Sequence, residues 1–357
     1  MVVKRLIVCD TLYQIILAIQ MKLTIFDRDE VDIVISDHST GTKEISSRLK
    51  EIGLFHDVQY QENKKILYPK SKIKSLIYAL YYGIFGFASL KVKHYDEIIF
   101  YGLDINIYRI FNQYNKEKHK VKWSRFEEGL FSYETDFSFG KTVKLVEKIN
   151  GMLGKNVVSK MIDTYYCFFP EFKKHRYGWK FVQIPTLEKT IEDLRPILQE
   201  VFDYKEFNIK EKYIYFASSS DIDGHPYGES ELVIHLSEIL GKDNLIVKKH
   251  PRDNRDIYKT KNIHELDGVG IPWEVFQLCT NMEGKVLLTI DSGSFISVTA
   301  TYSQNITGLF LFDLIKCNQE TFQNRASNIK NMLNDLHLNR LCTNIKVVES
   351  VEEINDY

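Results

Sequence analysis

"KRLIVCDTLYQIILAIQMKL", residues 4–23, decides the fold. Its first part, KRLIVCD (4–10), carries a short unbroken apolar run, the mark of a strand covered on both faces. From Thr11 the apolar residues fall at helical spacing through TLYQIILAIQMKL (11–23). The alternation then repeats outward. VDIVISD (31–37) reads as the next strand, and STGTKEISSRLKEIG (39–53) as a capped helix stopped by Gly53. DEIIFYG (96–102), INIYRIFNQYN (105–115) and HKVKWSRFEEG (119–129) continue the pattern. Strand–helix alternation of this kind predicts a parallel sheet with helices on both faces.

The middle of the chain reads differently. Residues 141–169 look mostly helical, FFPEFKKHRYGWKFVQIP (168–185) is punctuated by proline and aromatics, and TLEKTIEDLRPILQEVF (186–202) is a helix interrupted by Pro196. Alternation restarts with KYIYFASS (212–219) and GESELVIHLSEILG (228–241). It runs on through NLIVKKHP (244–251), PWEVFQLCTNM (272–282), KVLLTIDSGS (285–294), ISVTATYSQ (296–304) and ITGLFLF (306–312). The expected organisation is therefore an N-terminal Rossmann-like domain (1–170), a connection (171–208) and a C-terminal Rossmann-like domain (209–357). Two doubly wound α/β halves facing a central cleft make a GT-B-type architecture. No internal repeat of fixed period is present, and the tail beyond 312 carries no clear signal.

Composition narrows the class. The 357 residues are 44% hydrophobic and 27% charged, a soluble globular balance. The net charge is −1, so no global field favours nucleic acid as a partner. Five cysteines (Cys9, Cys167, Cys279, Cys317 and Cys342) form no CxxC pair, which argues against a zinc site or a disulfide framework. The opening apolar run is short for a signal peptide and is interrupted by Asp10, so a cytoplasmic protein is expected. SLIYALYYGIFGFASL (75–90) is nearly uncharged and flanked by lysines. It is shorter than the ~20 apolar residues a bilayer span needs. The readings are a buried helix, a helix in 70–93 touching the inner face of the membrane peripherally, and a true span.

In an open parallel sheet, ligands bind at the carboxyl ends of the strands. Four stretches fall there. Lys248, Lys249, His250, Pro251 and Arg252 follow LIV, and the cations with a positioned imidazole suit an anion. Asp291-Ser292-Gly293-Ser294 follow VLLTI, offering hydroxyls and backbone N–H groups at a helix start. Glu127 and Glu128 precede Gly129 at a first-half strand end and are general-base candidates; strand alternation means only one should face the site. Asp221, Asp223 and His225 crowd the loop after the first second-half strand. DID (221–223) formally matches a DxD metal signature, but a loop lining the site is the preferred reading, and no metal is expected.

Together, these motifs resemble the bacterial sialyltransferases, which carry an acidic-acidic-Gly motif, then a His-Pro motif, then a serine motif. Here they read Glu127-Glu128-Gly129, His250-Pro251 and Ser292-Gly293-Ser294, in that order, with a glycine separating the serines. IVCDTLYQIILA and IPWEVFQL (271–278) also resemble the glycosyltransferase family 52 and bacterial polysialyltransferase groups. The resemblance covers roughly residues 4–312. It implies an inverting, metal-independent transfer from CMP-sialic acid to a glycan acceptor, with no further cofactor. Glu127 or Glu128 would be the base, with Asp221 the rival. His250 would act on the leaving phosphate, held by Ser292, Gly293, Ser294, Lys248, Lys249, Pro251 and Arg252. Glu274 would meet the ribose or base. The alternatives are a GT-B transferase using another CMP-ulosonate or a UDP-sugar, and a non-catalytic scaffold for surface-glycan assembly. A homodimer is one open oligomeric state.

Overall fold

The computed structural model describes residues 2–357 except 68, 70, 89, 92, 117–119, 130, 135–139, 173–177, 219, 223, 225, 251–252, 267–270 and 303–305, with main chain only at 67, 72, 116, 131, 134, 294 and 295. The chain divides into two compact units, Met1–Asp203 and Tyr204–Tyr357.

The first unit holds seven strands: β1 (Lys4–Cys9), β2 (Glu30–Ser36), β3 (Asp57–Gln61), β4 (Glu97–Phe100), β5 (Lys122–Phe126), β6 (Ile162–Cys167) and β7 (Lys180–Gln183). They form one sheet in the order β3-β2-β1-β4-β5-β6-β7, every pair parallel. Helix Leu12–Leu23 starts with a capping box. Thr11 Oγ1 accepts from the Gln14 N–H, and the Gln14 side chain accepts from the Thr11 N–H. Gln14 also accepts from the Asp10 N–H at 2.7 Å, which fixes the turn from β1 into the helix.

Two expectations change here. Residues 141–169 are α-helical only over Lys141–Met152, pass through a 3-10 turn at Val158–Lys160 and then carry β6, whose IDTYYC run has too few residues to separate a covered strand from a helix by periodicity. The stretch 171–208 is also more than a connection. It supplies β7 and helix Ile191–Val201, which packs on helices Leu12–Leu23 and Thr42–Ile52. Gln20 ties it down, donating to the carbonyls of Pro185 (2.8 Å) and Thr186 (3.1 Å) and accepting from Thr190 Oγ1 (2.5 Å).

The second unit holds β8 (Tyr213–Phe216), β9 (Leu245–Lys248), β10 (His264–Glu265), β11 (Val286–Thr289), β12 (Thr307–Phe310) and β13 (Ile345–Val347). Their order is β10-β9-β8-β11-β12-β13, again all parallel. The tail that carried no clear signal folds as helix Glu320–Leu338 followed by β13. Among the described residues no helix is long and apolar enough to cross a membrane.

Candidate active site

In each sheet the strand order reverses once, between β1 and β4 in the first and between β8 and β11 in the second. Loops leaving the two strands on either side of such a point diverge and open a crevice at their carboxyl ends. The chemistry-bearing residues of each unit gather there.

In the first unit, Asp10 follows β1, Asp104 follows β4 and Glu128 follows β5. Asp10 accepts from Ser36 Oγ at 2.6 Å. Burial holds the Asp10 carboxyl above its ordinary range, against the Ser36 hydrogen bond and the nearby His38. Asp104 caps the helix Ile105–Lys116, accepting from the Ile107 N–H at 2.9 Å. Burial, with repulsion from Asp10, pushes Asp104 up to about 7. Glu128 is half-buried and accepts from Thr11 Oγ1 and Gln14 Nε2, each at 2.8 Å. Burial raises its pKa as well, opposed by those two hydrogen bonds and reinforced by Asp10. A carboxylate raised toward neutrality beside a crevice is suited to move a proton.

Its neighbour is built for a different task. Glu127 is fully buried, accepts from the Tyr133 hydroxyl, and takes the Phe168 N–H at 2.9 Å and the Tyr13 hydroxyl at 3.4 Å. Those bonds join the end of β5 to the end of β6. Strand alternation thus gives one glutamate to the interior and one to the crevice. Arg125, two residues earlier, is buried among the rings of Tyr101, Tyr165 and Trp179 and donates to the Tyr101 carbonyl at 2.5 Å.

In the second unit, Ser218 follows β8 and Glu229 opens the helix Glu229–Leu240 just after Gly228, whose φ of +85° suits only glycine well. Glu229 accepts from Ser218 N (2.9 Å), Ser218 Oγ (2.6 Å) and the Tyr215 hydroxyl (3.0 Å). Burial pushes it up to about 7, against the Ser218 hydrogen bonds and with added repulsion from Asp291. Asp291 follows β11 and pairs with Arg325 at 3.0 Å; burial raises its pKa and Arg325 lowers it. The Ser292 N–H donates to Thr289 Oγ1 at 3.0 Å, and Thr289 Oγ1 donates to the Phe216 carbonyl at 3.1 Å, so the turn before the helix Ser294–Thr301 is stitched to β8. Gly293 sits at the helix entrance.

Lys248 ends β9 and lies near Glu274 in the helix Trp273–Cys279. Burial pushes Glu274 up to about 7, opposed by Lys248, and burial lowers Lys248, opposed by Glu274. Trp273, next to Glu274 in that helix, packs edge-on against Phe216, ring centroids 3.9 Å apart. His250 is half-buried, and its carbonyl accepts from the Asp253 N–H at 2.8 Å.

Lys249 turns away from this group. Its Nζ pairs with Glu265 at 3.0 Å and donates to the Arg255 carbonyl at 2.9 Å. Asp221 is likewise engaged, with Arg255 and Ser230 Oγ each at 3.1 Å, and Arg255 is further paired with Asp253. Pro251, Arg252, Asp223, His225 and the side chain of Ser294 lie outside the described residues. Asp10, Asp104, Ser218 and Glu229 were not legible as site residues, because a single acid or serine after a strand is common. The strand order that brings them together is what singles them out.

No protein-family model and no curated protein matches this sequence. Solved structures do match. One is a UDP-GlcNAc 2-epimerase from Methanocaldococcus jannaschii, with TM-score 0.56 and 14% identity over 99% of this chain and 91% of that one. An MnaA–UDP co-structure from S. aureus has TM-score 0.51 and 14% identity over 94% and 89%. An alpha/beta-galactoside alpha-2,3-sialyltransferase from Photobacterium phosphoreum has TM-score 0.50 and 13% identity over 99% and 100%. Identities this low speak for the fold alone. The fold is the two-domain, parallel-sheet α/β type of GT-B proteins.

Proposed function

We propose that the protein is an inverting, metal-independent glycosyltransferase that moves sialic acid from CMP-sialic acid to a terminal galactose of a bacterial surface glycan. The observation that carries this reading is Glu128, a half-buried carboxylate raised in pKa at the switch point of the first sheet, next to Asp10. In this reading Glu128 takes the proton of the acceptor hydroxyl. The hydroxyl oxygen attacks the anomeric carbon, the bond from that carbon to the CMP phosphate oxygen breaks, and CMP leaves with the electron pair. Burial, reinforced by the negative charge of Asp10, keeps Glu128 more basic than an ordinary glutamate, which favours its taking the proton.

The second unit handles the leaving group. Lys248, His250 and the Ser292-Gly293-Ser294 turn would meet the departing phosphate with positive charge, a proton donor and N–H and hydroxyl donors. Pro251 and Arg252 belong to the same proposal, and Glu274 would meet the ribose or base. Lys249 is left out of it, since its charge is already taken by Glu265. Asp221, paired with Arg255, serves as a support of the loop after β8 and not as the base.

A second reading is favoured by the likeness to a UDP-GlcNAc 2-epimerase, at TM-score 0.56, and to the MnaA–UDP co-structure. In that reading the nucleotide is UDP. Thermal unfolding with CMP and with UDP separates the two, because a nucleotide held far above its Kd stabilises the fold by ~3–4 kcal/mol. Stabilisation by CMP and not UDP supports the transferase reading. The reverse result overturns it.

A further inference from the structure

Surface helices ordinarily turn their apolar side inward. Helix Lys72–Ile84 does this with only part of its apolar surface. Ala79 and Gly83 face inward, and the helix packs on helices Ile105–Lys116 and Lys141–Met152. The approach is so close that a Cβ on Gly83 would meet Val146 at 2.8 Å. On the outer side Ile73, Ile77, Tyr81 and Phe85 repeat every four residues and are 73%, 56%, 58% and 58% exposed. Leu76 and Phe87 widen the stripe. A contiguous exposed stripe of large apolar side chains marks a docking surface, since leaving it in water is unfavourable.

The charges around it identify the partner. Between Glu62 and Asp96 the sequence has no acidic residue and seven lysines: 64, 65, 70, 72, 74, 91 and 93. Lys93 is spent on Asp32 and Asp57, while Lys64, Lys65, Lys74 and Lys91 are exposed. Lys155 adds another cation, its Nζ lying 5.0 Å from the centre of the Phe85 ring. A second copy of the same surface would bring these like charges together, whereas an anionic surface would be drawn to them. Aromatic side chains beside lysines also suit the boundary between headgroups and acyl chains. At 13 residues the helix is about 20 Å long, too short for the ~30 Å bilayer core, so it would lie in the membrane plane.

We infer that the Ile73–Ile77–Tyr81–Phe85 stripe rests on an anionic lipid bilayer, with its side chains at the acyl boundary and the surrounding lysines against lipid phosphates. The inference does not depend on which nucleotide sugar the protein uses.

The test is co-sedimentation of the full-length protein with vesicles of phosphatidylglycerol mixed with phosphatidylcholine, and of phosphatidylcholine alone. Binding is expected to the first and weakly or not at all to the second, falling as salt is raised. The double variant Ile77→Ser/Tyr81→Ser should lower the partition coefficient at least about tenfold, and Lys74→Glu by a smaller factor. Leu338→Ser, an exposed apolar residue of the second unit, should bind as the wild type does. Circular dichroism melts verify that each variant is folded, which their solvent-facing positions favour. Absence of binding to the anionic vesicles, or equal binding by the folded double variant, overturns the inference. So does sedimentation velocity showing a wild-type dimer that the double variant loses, with no vesicle binding by either.

Discussion

The carboxyl ends of the two sheets have the same topology and different electrostatics. At the first, Asp10, Asp104 and Glu128 are all raised in pKa, because burial outweighs the hydrogen bonds and the His38 and Arg109 charges that oppose it. At the second, burial likewise raises Glu229, Glu274 and Asp291, but cations stand beside two of them, Lys248 near Glu274 and Arg325 paired with Asp291. A set of mutually repelling acids favours taking up a proton. A set with a lysine, a histidine and a hydroxyl-bearing turn favours holding an anion.

Substitutions that cross this division should differ most. Glu128→Gln is expected to lower kcat by ~10²–10⁴ and to remove the acidic limb of the pH–rate profile, with CMP affinity kept. In the wild type that limb should lie above the ordinary glutamate range, since the raised Glu128 must lose its proton before it can act as a base. Glu127→Gln should act on the fold instead, lowering stability by ~1–3 kcal/mol through the buried bonds to Tyr133 and Phe168. Melts and kinetics on the two variants separate these outcomes, and a larger kcat loss in folded Glu127→Gln would reverse the assignment.

His250→Ala should lower kcat by ~10²–10³ if the imidazole assists the leaving phosphate. Relief of that defect by a donor with a better leaving group would locate the loss at the departing side, while an unchanged defect would not. Ser292→Ala is a smaller perturbation. Loss of a hydrogen bond to a charged phosphate should weaken CMP binding by ~1.5–3 kcal/mol in calorimetry, and an unchanged affinity would move the phosphate elsewhere.

The smallest effect is a pH dependence of stability. Glu229 is raised from 4.5 to about 7 by burial. Below the unfolded value both states carry the proton and the group contributes nothing. Between 4.5 and about 7 the unfolded chain releases its proton first, so stability falls as pH rises. Glu229→Gln should therefore raise stability by ~1–3 kcal/mol at neutral pH and by little below the unfolded value. Denaturant melts across that range check it.

The alternation that sets the two parallel sheets was legible from residues 4–23 outward, because strands covered on both faces read as apolar runs. β6 was not, since six residues of Ile-Asp-Thr-Tyr-Tyr-Cys fit either a strand or a buried helix turn. The tail was equally ambiguous, with one long polar-faced helix and a three-residue strand. At the sites, adjacency in sequence pointed to Glu127 and Glu128 together, and to Lys248, His250 and Ser292. It could not single out Asp10 and Asp104, 94 positions apart (104 − 10), which only the β1–β4 pairing brings to one crevice. Nor could it show that Lys249 and Asp221 are taken up by Glu265 and Arg255.

The proposed transfer uses Glu128 as its base and a CMP-activated sugar as its donor. The most direct measurement is CMP release from CMP-sialic acid by the purified protein, with and without a galactose-terminated acceptor, in the presence of EDTA. Acceptor-dependent release, a sialylated product of inverted anomeric configuration, and loss of both in Glu128→Gln are expected. No release under these conditions, or turnover of UDP-GlcNAc in place of CMP-sialic acid, would contradict the proposed transfer.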